Sequence, residues 1–177
     1  MTHYVLIETP RLILRTVTMD DVEAVARRWK LDDGPISHQA AENQVRWMLA
    51  NHRQNAPERL VHLCLAIIDK ETQTFIGWCG LDHRDRSQAH PVLFYLLAAR
   101  HRGRGLATEA AQALIDYAFA ELGQARINGK TKAENVASKR VMEKIGMRYL
   151  GRDGKDAHCF TLGREERLRG ADPAQET

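Results

Sequence analysis

No apolar run in these 177 residues approaches the roughly 20 that a helix needs to cross a bilayer, so no membrane-spanning helix is expected. Cysteine is scarce. Cys64, Cys79 and Cys159 each lie in an apolar, strand-like run, and their odd number and spacing fit no zinc pattern. They read as buried, reduced thiols. The eight histidines include no His-x-x-x-His pair, so no metal site is expected. The amino end, Met-Thr-His-Tyr followed by strand pattern, does not read as a signal peptide, and a cytoplasmic location is expected. Internal repeats and low-complexity linkers are also missing. The length suits a single domain, 1–177, with a core over about 8–166 and a polar, frayed tail over about 167–177.

Charge is present and unevenly placed. The net charge is +3, but Arg100 to Arg152 holds 11 Lys and Arg against 5 Asp and Glu, a local +6 that leaves −3 elsewhere. A basic half suits a polyanionic ligand. Nucleic acid would ask for aromatics interleaved with the basic residues, whereas Tyr117, Phe119 and Tyr149 fall on apolar faces, so no nucleic-acid partner is expected.

The basic half opens on Arg100-His101-Arg102-Gly103-Arg104-Gly105-Leu106-Ala107-Thr108-Glu109. An apolar run, Val92 to Leu97, precedes it and an amphipathic run to about Leu122 follows, so a strand feeds a glycine turn that feeds a helix. Gly103 and Gly105 let the backbone approach a bound group without a Cβ clash. The new helix points unpaired N–H groups and its positive dipole end at that group, and three arginines add charge. This is an anion site, suited to a pyrophosphate. It is not the dinucleotide fingerprint, since Thr108 stands at the third glycine position, and no Gly-Lys-Ser/Thr makes it a P-loop.

Elsewhere the pattern predicts a strand over 11–17 and a helix from the capping-box-like Thr18-x-x-Asp21 to about Lys30. A turn follows at Leu31 to Ser37, then a second helix from Gln39 to His52 and a polar loop closed by Pro57. Strands are predicted at Val61–Asp69 and Thr74–Leu81, with a polar loop from Asp82 to His90. After Gly123 come a weak strand, Arg126–Thr131, a helix capped by Asn135 and stopped by Gly146, and strands at Met147–Arg152 and Ala157–Leu162. Strands and helices in this order predict an α+β fold with helices on both faces of a mixed sheet.

Arg100-x-x-Gly103-x-Gly105 resembles the acyl-CoA pyrophosphate loop of the GNAT acetyltransferases. Asn135-x-x-Ser138 through Gly146-Met147, about 30 residues on, resembles the same family's following helix. Thr9-Pro10-Arg11-Leu12-Ile13-Leu14-Arg15 resembles the start of the ribosomal-protein N-terminal acetyltransferase branch, and Phe75-Ile76-Gly77 its third strand. The resemblance implies a mostly antiparallel sheet splayed between two parallel central strands, here Val92–Leu97 and Arg126–Thr131, with acyl-CoA entering the gap.

By the same resemblance, backbone groups of Leu97, Ala98 and Ala99 pair with pantetheine as an added strand would. N–H groups from Arg102, Gly103, Arg104, Gly105, Leu106 and Ala107, on to Thr108, hold the pyrophosphate, with Arg100 or Arg104 on a phosphate. Asn135 bonds pantetheine, Ser138 lies near the sulfur, and an N–H near Leu96–Leu97 polarises the thioester carbonyl. The implied reaction is direct transfer of an acetyl group from acetyl-CoA to a primary amine, of a protein N-terminus or a small molecule, with no metal. Free edge strands make a homodimer an expectation.

Two departures from that family stand out. Many members carry a proton-donating Tyr seven residues after the Asn, where this chain has Met142, which leaves Ser138 as the candidate acid. Members also often carry a Glu in a Glu-Ile-Gly-Tyr segment, where this chain reads Val92-Leu93-Phe94-Tyr95. Asp82, His83 and His90 are the candidate bases near that strand, and Asp153 and Asp156 are further ones. With both groups missing, the alternative is a non-catalytic GNAT-fold protein that binds or senses acyl-CoA.

Overall fold

Strands that are dry on both faces explain why the sheet lies in the middle of the molecule. All eight residues of β3 (His62–Asp69) are buried, as are the seven inner residues of β4 (Thr74–Asp82). Such strands need cover on each side. The computed structural model, which describes residues 4–28, 34–56 and 59–171, shows that cover. Before β3 come β1 (Leu6–Glu8), β2 (Leu12–Thr16), α1 (Val22–Arg28) and α2 (His38–His52). After β4 come β5 (Val92–Leu97), α3 (Leu106–Ala120), β6 (Arg126–Lys132), α4 (Val136–Lys144), β7 (Arg148–Asp153), β8 (Ala157–Gly163) and α5 (Arg164–Ala171).

The strands form one sheet in the order β1-β2-β3-β4-β5-β6-β8-β7. Every neighbouring pair is antiparallel except β5 and β6. Alternation along the strands splits their side chains between two cores. Leu65, Ile67, Ile76, Cys79 and Leu97 pack with Leu114, Ile115 and Met142 of α3 and α4 on one face. Cys64, Ala66, Ile68 and Trp78 pack with Val25, Val45 and Met48 of α1 and α2 on the other. This is the α+β mixed sheet that the sequence predicts.

The parallel pair decides where a ligand can enter. β5 and β6 share only the register pairs Val92↔Asn128 and Leu93↔Gly129, so the strands part after Leu93. From Phe94 onward, β5 has no strand on that side among the described residues.

Three features differ from the sequence pattern. A short first strand, β1, pairs with β2 through Leu6↔Arg15, a pairing that alternation over three residues cannot signal. Asp82 is the last residue of β4 rather than the first of the loop. The frayed polar tail is instead helical through 171, because Glu166 Oε2 accepts the Gly163 N–H at 2.6 Å and Arg167 holds Asp116 of α3 at 2.8 Å. The end of the first predicted helix at Lys30, the start of the turn at Leu31 and the loop residue Pro57 lie outside the described residues. Among the described residues no helix is long and apolar enough to cross a membrane, and no cluster of His, Cys, Asp and Glu could hold a metal.

Candidate active site

The glycine turn has the backbone that its sequence asks for. Gly103 and Gly105 have φ of +72° and +79°, the left-handed region where a Cβ costs about 1–2 kcal/mol. Gly105 is the N-cap of α3 and brings no capping side chain, so the first N–H groups of α3 are not closed off by a cap of their own. The turn is strapped from β2's approach. Arg11 Nη1 donates to Arg104 O at 2.9 Å, and Arg11 Nε donates to Glu109 Oε2 at 2.6 Å. Glu109 Oε1 also accepts from Thr9 Oγ1 at 2.6 Å and from the Arg11 N–H at 2.9 Å. Burial alone would push the Glu109 carboxyl up, but these hydrogen bonds outweigh it and hold the group below its ordinary value. Arg100 is exposed, and its Nε donates to His101 Nε2 at 2.9 Å.

Peptide groups of β5 face the gap. Ala98 N–H donates to Ile76 O, which fixes the alternation along the strand. Leu96 therefore bonds toward β4, and the peptide groups of Tyr95 and Leu97 turn toward the opening. Leu97 O accepts from Arg102 Nε at 2.8 Å, and its second lone pair can still take a ligand donor. The carbonyls of Ala98 and Ala99 already accept from His101 and Arg102 N–H in the one-turn 3-10 helix over Ala99–His101.

Across the gap, Asn135 caps α4 by accepting Ser138 N–H on Oδ1 at 3.0 Å, which leaves its amide NH2 to offer. Ser138 Oγ lies 2.8 Å from the Tyr95 hydroxyl, and Ser138 O lies 3.1 Å from the same hydroxyl. Burial raises the Tyr95 pKa, although the Ser138 bond works the other way, so the phenol stays protonated and can donate. Sequence reasoning missed Tyr95 as a site residue. The signal was the alternation that sends it to the α4 face, while its neighbours Phe94 and Leu96 face α2. Met142 is buried with its sulfur 2.9 Å from where a Gly129 Cβ would stand, and offers no proton.

On the α1–α2 face lies a cavity of about 770 Å³. Trp47, Trp78 and Phe94 give it aromatic walls, and Asp82, Asp85 and Asp153 give it carboxylates. Most of that charge is answered. Arg84 Nε donates to Asp82 Oδ1 at 2.8 Å while its guanidinium sits 4.7 Å from the centre of the Trp47 ring, and Lys130 Nζ donates to Asp153 at 2.6 Å. The Arg84 bonds, working against partial burial, hold Asp82 down at about 2. His62, which sequence reasoning also missed, is in the wall.

The other candidates stand apart. His83 Nε2 lies 2.9 Å from Gln88 O and staples its own loop. His90 lines a separate hollow with Arg126 and Arg164. Asp156 is exposed at the turn between β7 and β8. Tyr149, expected on an apolar face, is largely exposed on edge strand β7 and packs against His158.

A mixed sheet opened at one parallel pair, with a glycine turn and a helix N-terminus at its mouth, defines an acyl-CoA transferase architecture. The family model of the acetyltransferase (GNAT) domain matches residues 11–148, and the chain belongs to that family. The uncharacterized N-acetyltransferase p20 of Bacillus licheniformis is 30% identical over 147 residues, which is 81% of this chain and 82% of that protein. A GNAT-family acetyltransferase from Bacillus anthracis superposes with a TM-score of 0.74 at 25% identity, covering 91% of this chain and 99% of that one. RimJ of Mycobacterium smegmatis, solved with a CoA disulfide, shares the fold with a TM-score of 0.72 at 21% identity over 95% of this chain and 93% of its own.

Proposed function

We propose that this chain moves an acetyl group from acetyl-CoA to a primary amine, of a protein N-terminus or a small molecule, by direct transfer in a ternary complex. The observation that carries this reading is the parting of β5 from β6 after Leu93, with the Gly103–Gly105 turn at its mouth and Ser138 beside it. Acetyl-CoA supplies an activated thioester carbonyl. The chain supplies the rest. N–H groups from Arg102 to Thr108 hold the pyrophosphate, with charge from Arg100 or Arg104. The Leu97 N–H is directed into the gap and hydrogen-bonds the carbonyl oxygen as charge develops on it. Leu97 O and the Asn135 amide position the pantetheine arm. Ser138, backed by the Tyr95 hydroxyl, returns a proton to the sulfur; a thiol with a pKa of about 8.5 needs only modest help to leave.

The cavity on the α2 face takes the acceptor. Its paired carboxylates and aromatic walls favour an amine with one positive centre and an apolar body over a polycation. Thiol release from acetyl-CoA in the presence of aromatic and aliphatic monoamines, polyamines and short peptides tests this, with amine-dependent release expected and monoamines leading. Val92 and Met142 favour a second reading, an acyl-CoA sensor without turnover. Calorimetric binding of CoA with no thiol released on any amine would establish that reading instead.

A further inference from the structure

His62 is a buried polar side chain that lies beside Asp82 without a full hydrogen bond to it. Its side chain is 6% exposed, yet it forms part of the cavity wall. Among the described residues no hydrogen bond reaches Nδ1, and Asp82 Oδ1 stands 3.7 Å from it. Such a group costs about 1–3 kcal/mol unless something repays it. The ring is nonetheless held firmly. Phe94 stacks on it at 5.5 Å and 8°, and Trp47 meets it edge-on at 5.1 Å. Gly80 makes the stack possible, because a Cβ there would fall on the Phe94 ring.

Sheet register connects this histidine to the reaction. His62 pairs with Asp82 and Asp82 pairs with Val92, so the three form one row across β3, β4 and β5. The row continues to Asn128 across the parallel pair. Directly paired residues share a face, here the face of Trp78 and Phe94. Val92 is the position where the family resemblance often places a carboxylate. The missing carboxylate reappears one strand over, at Asp82, with an imidazole one strand beyond.

We propose that His62, oriented by Asp82, is the general base that takes the proton from the acceptor amine; the assignment rests on the transferase reading above. Two strand spacings separate the backbones of His62 and Val92 by about 10 Å. The ring reaches back to stack on Phe94, and the bound amine together with a chain of waters carries the proton to it along the span from the thioester at Leu97. The amine nitrogen bonds to the acetyl carbon as the carbon–sulfur bond breaks. The amine proton passes to the imidazole and on to solvent, and the departing thiolate takes a proton through the Ser138 hydroxyl, which is reprotonated from solvent as it gives its own.

Charge balance decides between the two members of the pair. Asp82, held at about 2 by Arg84, is too weak a base to deprotonate an amine. Burial lowers the His62 pKa, Arg84 and His52 of α2 lower it further, and Asp82 pulls the other way without prevailing. The imidazole is therefore neutral near pH 7 and ready to accept a proton.

The test is the pH profile of kcat/KM from pH 5 to 9 for the full chain, His62→Gln and Asp82→Asn, with melting curves and CoA calorimetry as controls. The wild type should show an acid limb with its midpoint below the ordinary histidine value of about 6.5. His62→Gln should lose that limb and about 100-fold in rate while binding CoA normally. Asp82→Asn should move the limb to lower pH, because the anion that favours the imidazolium is gone. A folded His62→Gln with the wild-type limb and rate overturns the assignment. Should that variant not fold, an unmoved limb in Asp82→Asn overturns it equally. A wild type that binds CoA but acetylates no amine overturns the transferase reading and this assignment together, whereas normal wild-type turnover with unchanged variants overturns the assignment alone.

Discussion

Two halves of the site meet at β5 and are made of different material. On the α3–α4 side, the groups aimed at a ligand are mostly peptide groups: Leu97 at the gap, the turn at Gly103 and Gly105, and the first turn of α3. Side chains there mainly brace the backbone, as Arg11 and Glu109 do. On the α1–α2 side, the cavity is walled by side chains drawn from α2, β3, β4, β5, β6, β7 and β8. A surface of peptide groups can serve one fixed ligand with little dependence on residue identity. A surface of side chains changes its chemistry with each substitution. On the proposed reading, the donor half is thus constrained by backbone shape, and the acceptor half by which residues the register brings together.

The sharpest way to break this comparison is to fill the donor half. Gly105→Trp places a large side chain at a left-handed position in the turn, where a Cβ would stand 3.5 Å from Arg11 Nη2. Calorimetry should find CoA binding weakened by at least about 100-fold, from strain and blockage together, with turnover lost in step. Unchanged affinity would remove the pyrophosphate from this turn.

The boundary between the halves is probed next. Ser138→Ala and Tyr95→Phe each remove one hydroxyl from the 2.8 Å pair across the gap. Turnover should fall about 10-fold in either, at the low end for acid–base groups because a thiolate leaves readily. CoA affinity should stay within about twofold, since the peptide contacts are untouched. If the hydroxyls act as a unit, the double variant loses little more than either single one.

A smaller effect separates the halves cleanly. Trp47 is 37% exposed on α2, so Trp47→Ala sacrifices little core packing. The acceptor KM should rise roughly 5-fold for apolar monoamines, the scale of one lost aromatic wall, while CoA affinity is unchanged. A shift in CoA affinity instead would mean that the two halves share a ligand.

The same difference in material explains how much of the molecule was legible in its sequence. Gly103, Gly105, Asn135 and Ser138 lie within short segments whose local chemistry is fixed by glycine φ and helix capping, so the turn and the α4 cap could be read directly. The cavity is different. His62 and Asp82 are 20 residues apart in sequence and become neighbours only through β3–β4 register, and Val92 joins them only through β4–β5. Alternation shows that a strand exists, but one residue of slip would send His62 to the opposite core. Tyr95 was hidden for the same reason, since its meeting with Ser138 needs the strand and the helix placed together. The helix at Arg164–Ala171 was illegible because its anchors, Asp116 and Glu166, are polar and leave no apolar stripe to read.

The smallest effect concerns the strap itself. Glu109 carries a carboxyl whose folded pKa is lowered, so it contributes stability that is fully present above the unfolded value of about 4.3 and is lost as pH falls through the folded value. Arg11 is half exposed, which limits the pair to roughly 0.5 kcal/mol. For a chain of this length that corresponds to about 2 °C in melting temperature. The wild type should therefore lose about 2 °C more than Glu109→Gln between pH 6 and pH 3, after both are compared at equal ionic strength. Above pH 5 the variant should melt lower, because glutamine cannot hold the Arg11 guanidinium by charge. CoA affinity at pH 7 should fall only two- to threefold, since Arg11 still reaches Arg104 O and the glycine turn keeps its own geometry. A collapse of CoA affinity in Glu109→Gln would show that the donor half depends on side chains as much as the acceptor half does, and would erase the distinction between them.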